Sequence, residues 1–302
     1  MKTFRSMRMR YAALIAGLLL SAVSLQALPI SSCGFTANVP LMTYDVTANL
    51  FGAGKGSCIT VTAANITINL NKFVLVGKGG TTIGINISTA ATGTQILGFG
   101  KIKGFGTGIL DLGSSAVLKF LTVVHNKTGV LMDGVTDSAL AGSWILKNSA
   151  NGVVLRNTSK CMVGHNAAIA GNGNGTHGYG VWIKNIGSAP LSFKNTVSTN
   201  IMKNASFPGT EVAGIWVGLS DNAPLSTCST GTPSTGNIIE YNGVESNAIV
   251  GIGLECGTAS SNTVQNNGAS LNGFYDGADG TTSCTSDTWT SNSFTTRFQP
   301  CD

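Results

Sequence analysis

The chain has 302 residues, of which 42% are hydrophobic and only 10% charged. That apolar content excludes a disordered chain, and 40 glycines against 7 prolines suit short strands joined by tight turns. Of 18 Lys and Arg against 13 Asp and Glu, four (Lys2, Arg5, Arg8 and Arg10) lie in the first stretch, leaving 14 against 13 (18 − 4), so no nucleic-acid partner is expected.

Residues 1–27 read as an export signal: the four basic residues, an apolar core from Tyr11 to Leu25, and cleavage after Ala27 or Ser24. No later stretch is long enough for a spanning helix. The protein is therefore expected to be secreted or periplasmic. The run Ile30-Ser31-Ser32-Cys33 has the form of a lipoprotein cleavage box, which would anchor an acylated Cys33 to the outer face of a membrane. The competing and favoured reading pairs Cys33 with Cys58 as a staple, because the apolar core ends too far from the cysteine. Residues 28–58 are expected as an N-terminal cap, and residues 59–302 as the repeating body.

That body opens with strict alternation at Ile66, Ile68 and Leu70 and then repeats one phrase, a glycine followed by alternating apolar residues. Its glycines are Gly84, Gly108, Gly129, Gly152, Gly180, Gly214, Gly251 and Gly273, spaced 24, 21, 23, 28, 34, 37 and 22 residues apart. A period of this size built from short strands is that of a solenoid whose coils bury their apolar faces on one another. Ile85, Ile109, Val130, Val153, Val181, Ile215, Ile252 and Phe274 should stack as one inward column. A second phrase spaces asparagines five apart, as at Asn195 and Asn200, Asn237 and Asn242, and Asn262 and Asn267. Asparagine tolerates tight left-handed turns, and stacked coils would let such amides bond as ladders. The expected architecture is all-β: a right-handed parallel β-helix with a cap and a disulfide-tied C-terminus.

The longer intervals place insertions at 171–178, 187–190, 207–211 and 220–235, where ligands often bind in solenoids. Cys228 in the last of these is expected to pair with Cys256, and Cys284 with Cys301, leaving Cys161 as a buried thiol. Such pairs fit an oxidising compartment. With no Cys-x-x-Cys and no ligand spacing among His125, His165 and His177, no metal or other cofactor is expected.

The two phrases, the run Ile59-Thr60-Val61-Thr62 into Asn65-Ile66-Thr67-Ile68, and the closing Asp276-Gly277-Ala278-Asp279 with Cys284, Trp289 and Cys301 resemble secreted bacterial parallel β-helix proteins of the pectin-lyase-like superfamily. The resemblance spans Cys33 to Cys301 and implies the fold more than an activity. Where such proteins often carry Gly-His after the first long strand, this chain has Asn71-Lys72-Phe73. A polysaccharide lyase or glycoside hydrolase of this kind would carry acidic calcium ligands with an arginine base, or paired aspartates with Gly-His-Gly and Arg-Ile-Lys. Here Arg156 and Arg297 are the arginines beyond the signal, and Gly164-His165-Asn166 and Trp182-Ile183-Lys184 stand in place of the motifs. The familiar catalytic sets are missing.

Alternation sends the second residue after each glycine outward: Asn86, Leu110, Leu131, Val154, Trp182, Trp216, Gly253 and Tyr275. An apolar outward column is either covered by an insertion or open as a surface on which sugar rings stack. In the second case Trp182, Trp216 and Tyr275 bind an extracellular polysaccharide, with Arg156 and Lys184 meeting its acidic groups. The rival class is a structural or adhesive surface protein without catalysis.

Overall fold

The computed structural model describes residues 26–298 except 53, 175, 188–191, 204–210, 221–230 and 281–285. The export-signal reading of residues 1–25, and the cysteines Cys228, Cys284 and Cys301, lie outside the described residues. Strands are the only regular elements described, no helix is long and apolar enough to cross a membrane, and all strand pairs are parallel. Their order is that of a parallel β-helix: each strand pairs with its counterpart one coil before and one coil after.

Three faces enclose one apolar interior. The first is an eleven-stranded sheet running from Leu28–Ile30 to Thr288–Thr290. Its central residues, Ile68, Ile96, Leu118, Leu140, Val163, Val197, Ile239 and Val264, stack in register and are fully buried. A second face inserts Leu75, Ile102, Val123, Ile145 and Ile169. The third carries the glycine phrase and inserts Ile59, Ile85, Ile109, Val130, Val153, Val181, Ile215 and Ile252. Burying each such side chain contributes roughly 1.5–3 kcal/mol, and the period of two along a strand is what allows every coil to offer one to each face.

Residues 28–58 supply strands to the same ladders, with Tyr44 against Ile68 and Phe35 against Ile59. One expectation changes. Phe274 is not in the inward column: it is 65% exposed, and Gly277 pairs with Ile252 instead. Gly273 belongs to the turn, where its nitrogen donates to Asn247 O at 3.0 Å, and a Cβ there would stand 1.9 Å from the Ala248 carbonyl. The last true copy of the phrase therefore begins at Asp276.

Asparagine ladders line three corners. Asn126 donates to Asn148 Oδ1, Asn148 to Asn172 Oδ1 and Asn172 to Glu211 Oε1, at 3.1, 2.8 and 2.9 Å. The series Asn166, Asn200, Asn242, Asn267 and Asn292, and the series Asn195, Asn237, Asn262 and Asp287, repeat the pattern. Each acceptor oxygen also takes the backbone N–H of the preceding asparagine, as Asn242 Oδ1 does from Asn200 at 3.1 Å.

Cys33 and Cys58 form a disulfide between successive coils. Cys256 is also disulfide-bonded, and its partner lies outside the described residues. Cys161 is a buried free thiol whose pKa is pushed up to about 12, chiefly by burial, so it is a poor nucleophile.

Replacing Asn242 by Leu removes the acceptor of both the Asn200 backbone and side-chain N–H groups. Each buried donor left unpaired costs about 1–3 kcal/mol, so denaturant titration of Asn242→Leu should show a loss above about 2 kcal/mol; a near-neutral variant would mean that the ladders do not hold the coils.

Asp111 sits inside, between Ile87 and Met132 of adjacent coils. Its Oδ1 accepts from Gly113 N at 3.0 Å, while Oδ2 is buried with no partner. Burial raises its pKa to about 6 from an ordinary 3.8. The folded chain thus binds more protons than the unfolded chain between those values, so stability falls as pH rises through the window and stays lower above it. Asp111→Asn should match the wild type near pH 4 and exceed it at pH 7.5 by about 2–3 kcal/mol, as read from unfolding curves at both pH values.

Candidate functional site

The outward column of the glycine face forms in register but is not open. Trp182 pairs with Trp216 on the next coil, as expected, yet the two are 4% and 0% exposed. The chain leaving the strand Ala213–Val217 crosses them: Trp182 Nε1 donates to Gly218 O at 2.7 Å, and the Tyr179 hydroxyl to Ser220 O at 2.5 Å. Glu255 pins that crossing by accepting from Leu219 N, from Ser220 N and Oγ, and from Thr258 Oγ1 at 2.7 Å. The ring of Trp216 lies over Gly253, where a Cβ would come within 2.3 Å of it. The gap in the apolar column is the space into which the indole packs.

The other expected site residues serve the same packed face. Tyr275 falls in a neighbouring column, paired with Val250, and Ala278 takes its expected place beside Gly253. Arg156 and Lys184 are register partners on adjacent coils. Arg156 is held by Asp133, with Nε donating to Oδ1 at 2.8 Å and Nη2 to Oδ2 at 2.5 Å, and this pairing raises the guanidinium pKa further. Lys184 Nζ lies 3.4 Å from the centre of the Trp182 ring, a cation–π contact. The five residues do not make an open binding surface.

An open groove of about 1100 Å³ lies instead at the corner where the second face turns into the glycine face. In the coils Lys101–Asp111 and Val74–Ile87 one continuous strand rounds this corner. In later coils it divides, as between Thr122–Val124 and Thr128–Asp133. The divided corner is a left-handed residue followed by a ladder asparagine. His125 and Lys147 take the left-handed position, at φ 55° and 52°, bonded coil to coil through His125 N to Leu146 O at 3.3 Å. Asn126 and Asn148 then turn inward to the ladder, so the residues on both sides, His125 and Lys127 in one coil and Lys147 and Ser149 in the next, project outward and are exposed.

Lys78 on the glycine-rich turn of the long strand faces the same groove. The far wall is the loop bearing His177, closed by Asn174: its Oδ1 accepts from His177 N at 2.8 Å and Thr176 Oγ1 at 3.0 Å, and its own N–H donates to His177 O at 3.0 Å. The loop returns at Gly178, φ 107°, where a Cβ would meet the Ala150 carbonyl at 1.9 Å. A smaller hollow lined by Lys55 and the Cys33–Cys58 bridge adjoins it and shares Gly77, Lys78 and Phe105. Three lysines and two histidines thus line the groove, and among the described residues no Asp or Glu lines it. The signal was present in the sequence as basic residues flanking asparagines 22 apart, in His125-Asn126-Lys127 and Lys147-Asn148-Ser149. Spacing alone does not show that these flanking residues meet solvent side by side on adjacent coils. Among the described residues no cluster of His, Cys, Asp and Glu is arranged to hold a metal.

No protein-family model matches the chain, and no curated protein matches its sequence. Among solved structures it is similar to the Dettilon tailspike protein, with a TM-score of 0.61 and 15% identity over 88% of this chain and 62% of that one. It also aligns with the catalytic unit of a thermostable GH87 alpha-1,3-glucanase from Streptomyces thermodiastaticus, at a TM-score of 0.37 and 14% identity over 89% and 65%. The chain spans less than two thirds of the length of either. At such identity the tailspike likeness shows the β-helix fold alone, and the weaker alignment carries no argument.

Because Trp182 is packed and its indole N–H is engaged, Trp182→Ala should lower stability by about 3–5 kcal/mol and shift the denaturation midpoint accordingly. An unchanged midpoint would mean that the column is open after all.

Proposed function

We propose that this protein is exported and binds an extracellular polysaccharide in the corner groove, through acidic groups on the sugar chain. The observation that carries the reading is the convergence of Lys78, Lys127 and Lys147 with two imidazoles on a groove that, among the described residues, no carboxylate lines. The groove crosses successive coils and is therefore open to a linear ligand. Its lining includes backbone, asparagine, serine and cations, which offer hydrogen-bond donors to hydroxyl and anionic groups. A disulfide between coils fits an oxidising compartment outside the cytoplasm. Glycoside hydrolysis ordinarily requires two carboxyl groups across the scissile bond, which the groove lining does not offer, so the reading is retention of the chain without cleavage. The non-catalytic adhesive alternative raised by the sequence is compatible with that mode.

The test is affinity electrophoresis through gels holding an acidic or a neutral polysaccharide. The wild type should be retarded by the acidic polymer, and Lys78→Glu/Lys127→Glu should bind at least about tenfold more weakly, a change of about 1.4 kcal/mol, with the same melting temperature. Equal retardation of the double variant, or no retardation by any polymer, would overturn the proposal.

A further inference from the structure

We infer that the two imidazoles make the groove's hold on an anionic polysaccharide tighten on acidification. The inference rests on the binding role proposed for the groove and adds its regulation. His125 occupies a left-handed corner between the inward-turned Asn126 and the end of the strand Thr122–Val124, so its ring has no place in the core and is exposed. His177 is exposed at the opposite wall, on a loop fixed by the three acceptor bonds of Asn174 Oδ1. Both rings line the same groove.

The charged groups facing them come from every element around the groove: Lys78 from the long strand, Lys127 from the corner that holds His125, and Lys147 from the next coil. The strand Lys101–Asp111 contributes only Gly104, Phe105 and Gly106, and the His177 loop adds Asn174. Among the described lining residues no carboxylate faces either ring. Imidazole is the side chain that changes charge between about pH 5 and 8. A lining that pairs imidazoles with three lysines therefore grows more positive towards acid, while sulfate groups on a glycan stay ionised and uronate groups largely do. A bound polyanion favours the protonated rings, and by linkage the protonated rings favour the polyanion. The groove holds lysines and no arginine, so it meets anions as point charges and not through a planar bidentate fork. Charge density on the ligand should matter more than whether the anion is sulfate or carboxylate.

The experiment measures binding of the whole exported chain to dextran sulfate, polygalacturonate and neutral dextran at pH 5.0 and pH 8.0, at one ionic strength. Dextran sulfate keeps its charge across this range, so a pH effect on it belongs to the protein. Wild type should bind dextran sulfate at least about tenfold more tightly at pH 5.0, about 1.4 kcal/mol, and polygalacturonate in the same direction. His125→Asn/His177→Asn, chosen because asparagine tolerates the left-handed corner, should lose most of that difference and keep its melting temperature. Calorimetry in two buffers of different ionisation enthalpy near pH 6.5 should show proton uptake on binding by the wild type only. Binding of dextran sulfate that is the same at both pH values, or a pH dependence retained in the double variant, would overturn the inference while leaving the binding role standing. No binding of either polyanion at any pH would overturn both.

Discussion

The structure depends on amides that each donate into the next coil. In every corner ladder an asparagine oxygen accepts both the side-chain and the backbone N–H of the asparagine one coil earlier, as Asn148 Oδ1 does from Asn126 at 3.1 and 3.0 Å. Its own nitrogen meanwhile donates onward, and back to a carbonyl of the preceding coil, as Asn126 Nδ2 does to Ile102 O at 3.1 Å. Corners are where a β-helix interrupts its strands, so their buried polar groups would otherwise be unpaired at considerable cost. A one-way ladder is closed most simply by a group that accepts without donating. Carboxylates do so at Glu211, Asp276 and Asp287, while another series ends on Asn292, whose nitrogen donates back to Val264 O.

The ladders also shape the outer surface. Turning Asn126 and Asn148 inward leaves their neighbours pointing out, so a constraint of folding places His125, Lys127 and Lys147 side by side on adjacent coils. The groove is thus tied to the scaffold: its cations stand on residues fixed by coil-to-coil hydrogen bonds, and only the His177 wall belongs to a loop. On the glycine face the same stacking produces a different result. There the outward residues are large and apolar, and the exit segment Gly218–Ser220, anchored by Glu255, turns them into a second apolar cluster outside the β-helix.

Charge is distributed accordingly. The carboxylates Glu211, Glu255, Asp276 and Asp279 are buried and accept hydrogen bonds, Arg156 is paired with Asp133, and the cations at the groove are exposed. The near balance beyond the first stretch, 14 Lys and Arg against 13 Asp and Glu (18 − 4), therefore conceals a one-sided surface at this corner.

Alternation and period are local properties, and they were legible in the chain. They identified the coil repeat, the inward column from Ile85 to Ile252 and the asparagine ladders, because in-register stacking makes each coil obey the same inside-outside rule; the Cys33–Cys58 staple rested instead on the distance of Cys33 from the apolar core. The slip at Phe274 shows the limit of that rule, since a turn glycine and a strand glycine read alike until Asp276 is seen opposite Gly251. What only the tertiary structure decided is which outward residues meet solvent. Trp182 is covered by a segment 36 residues further on, and the groove gathers Lys78, His125, Lys147 and His177 from three coils and a loop. Exposure outside a solenoid depends on where distant chain returns, and no periodicity within a single strand encodes that.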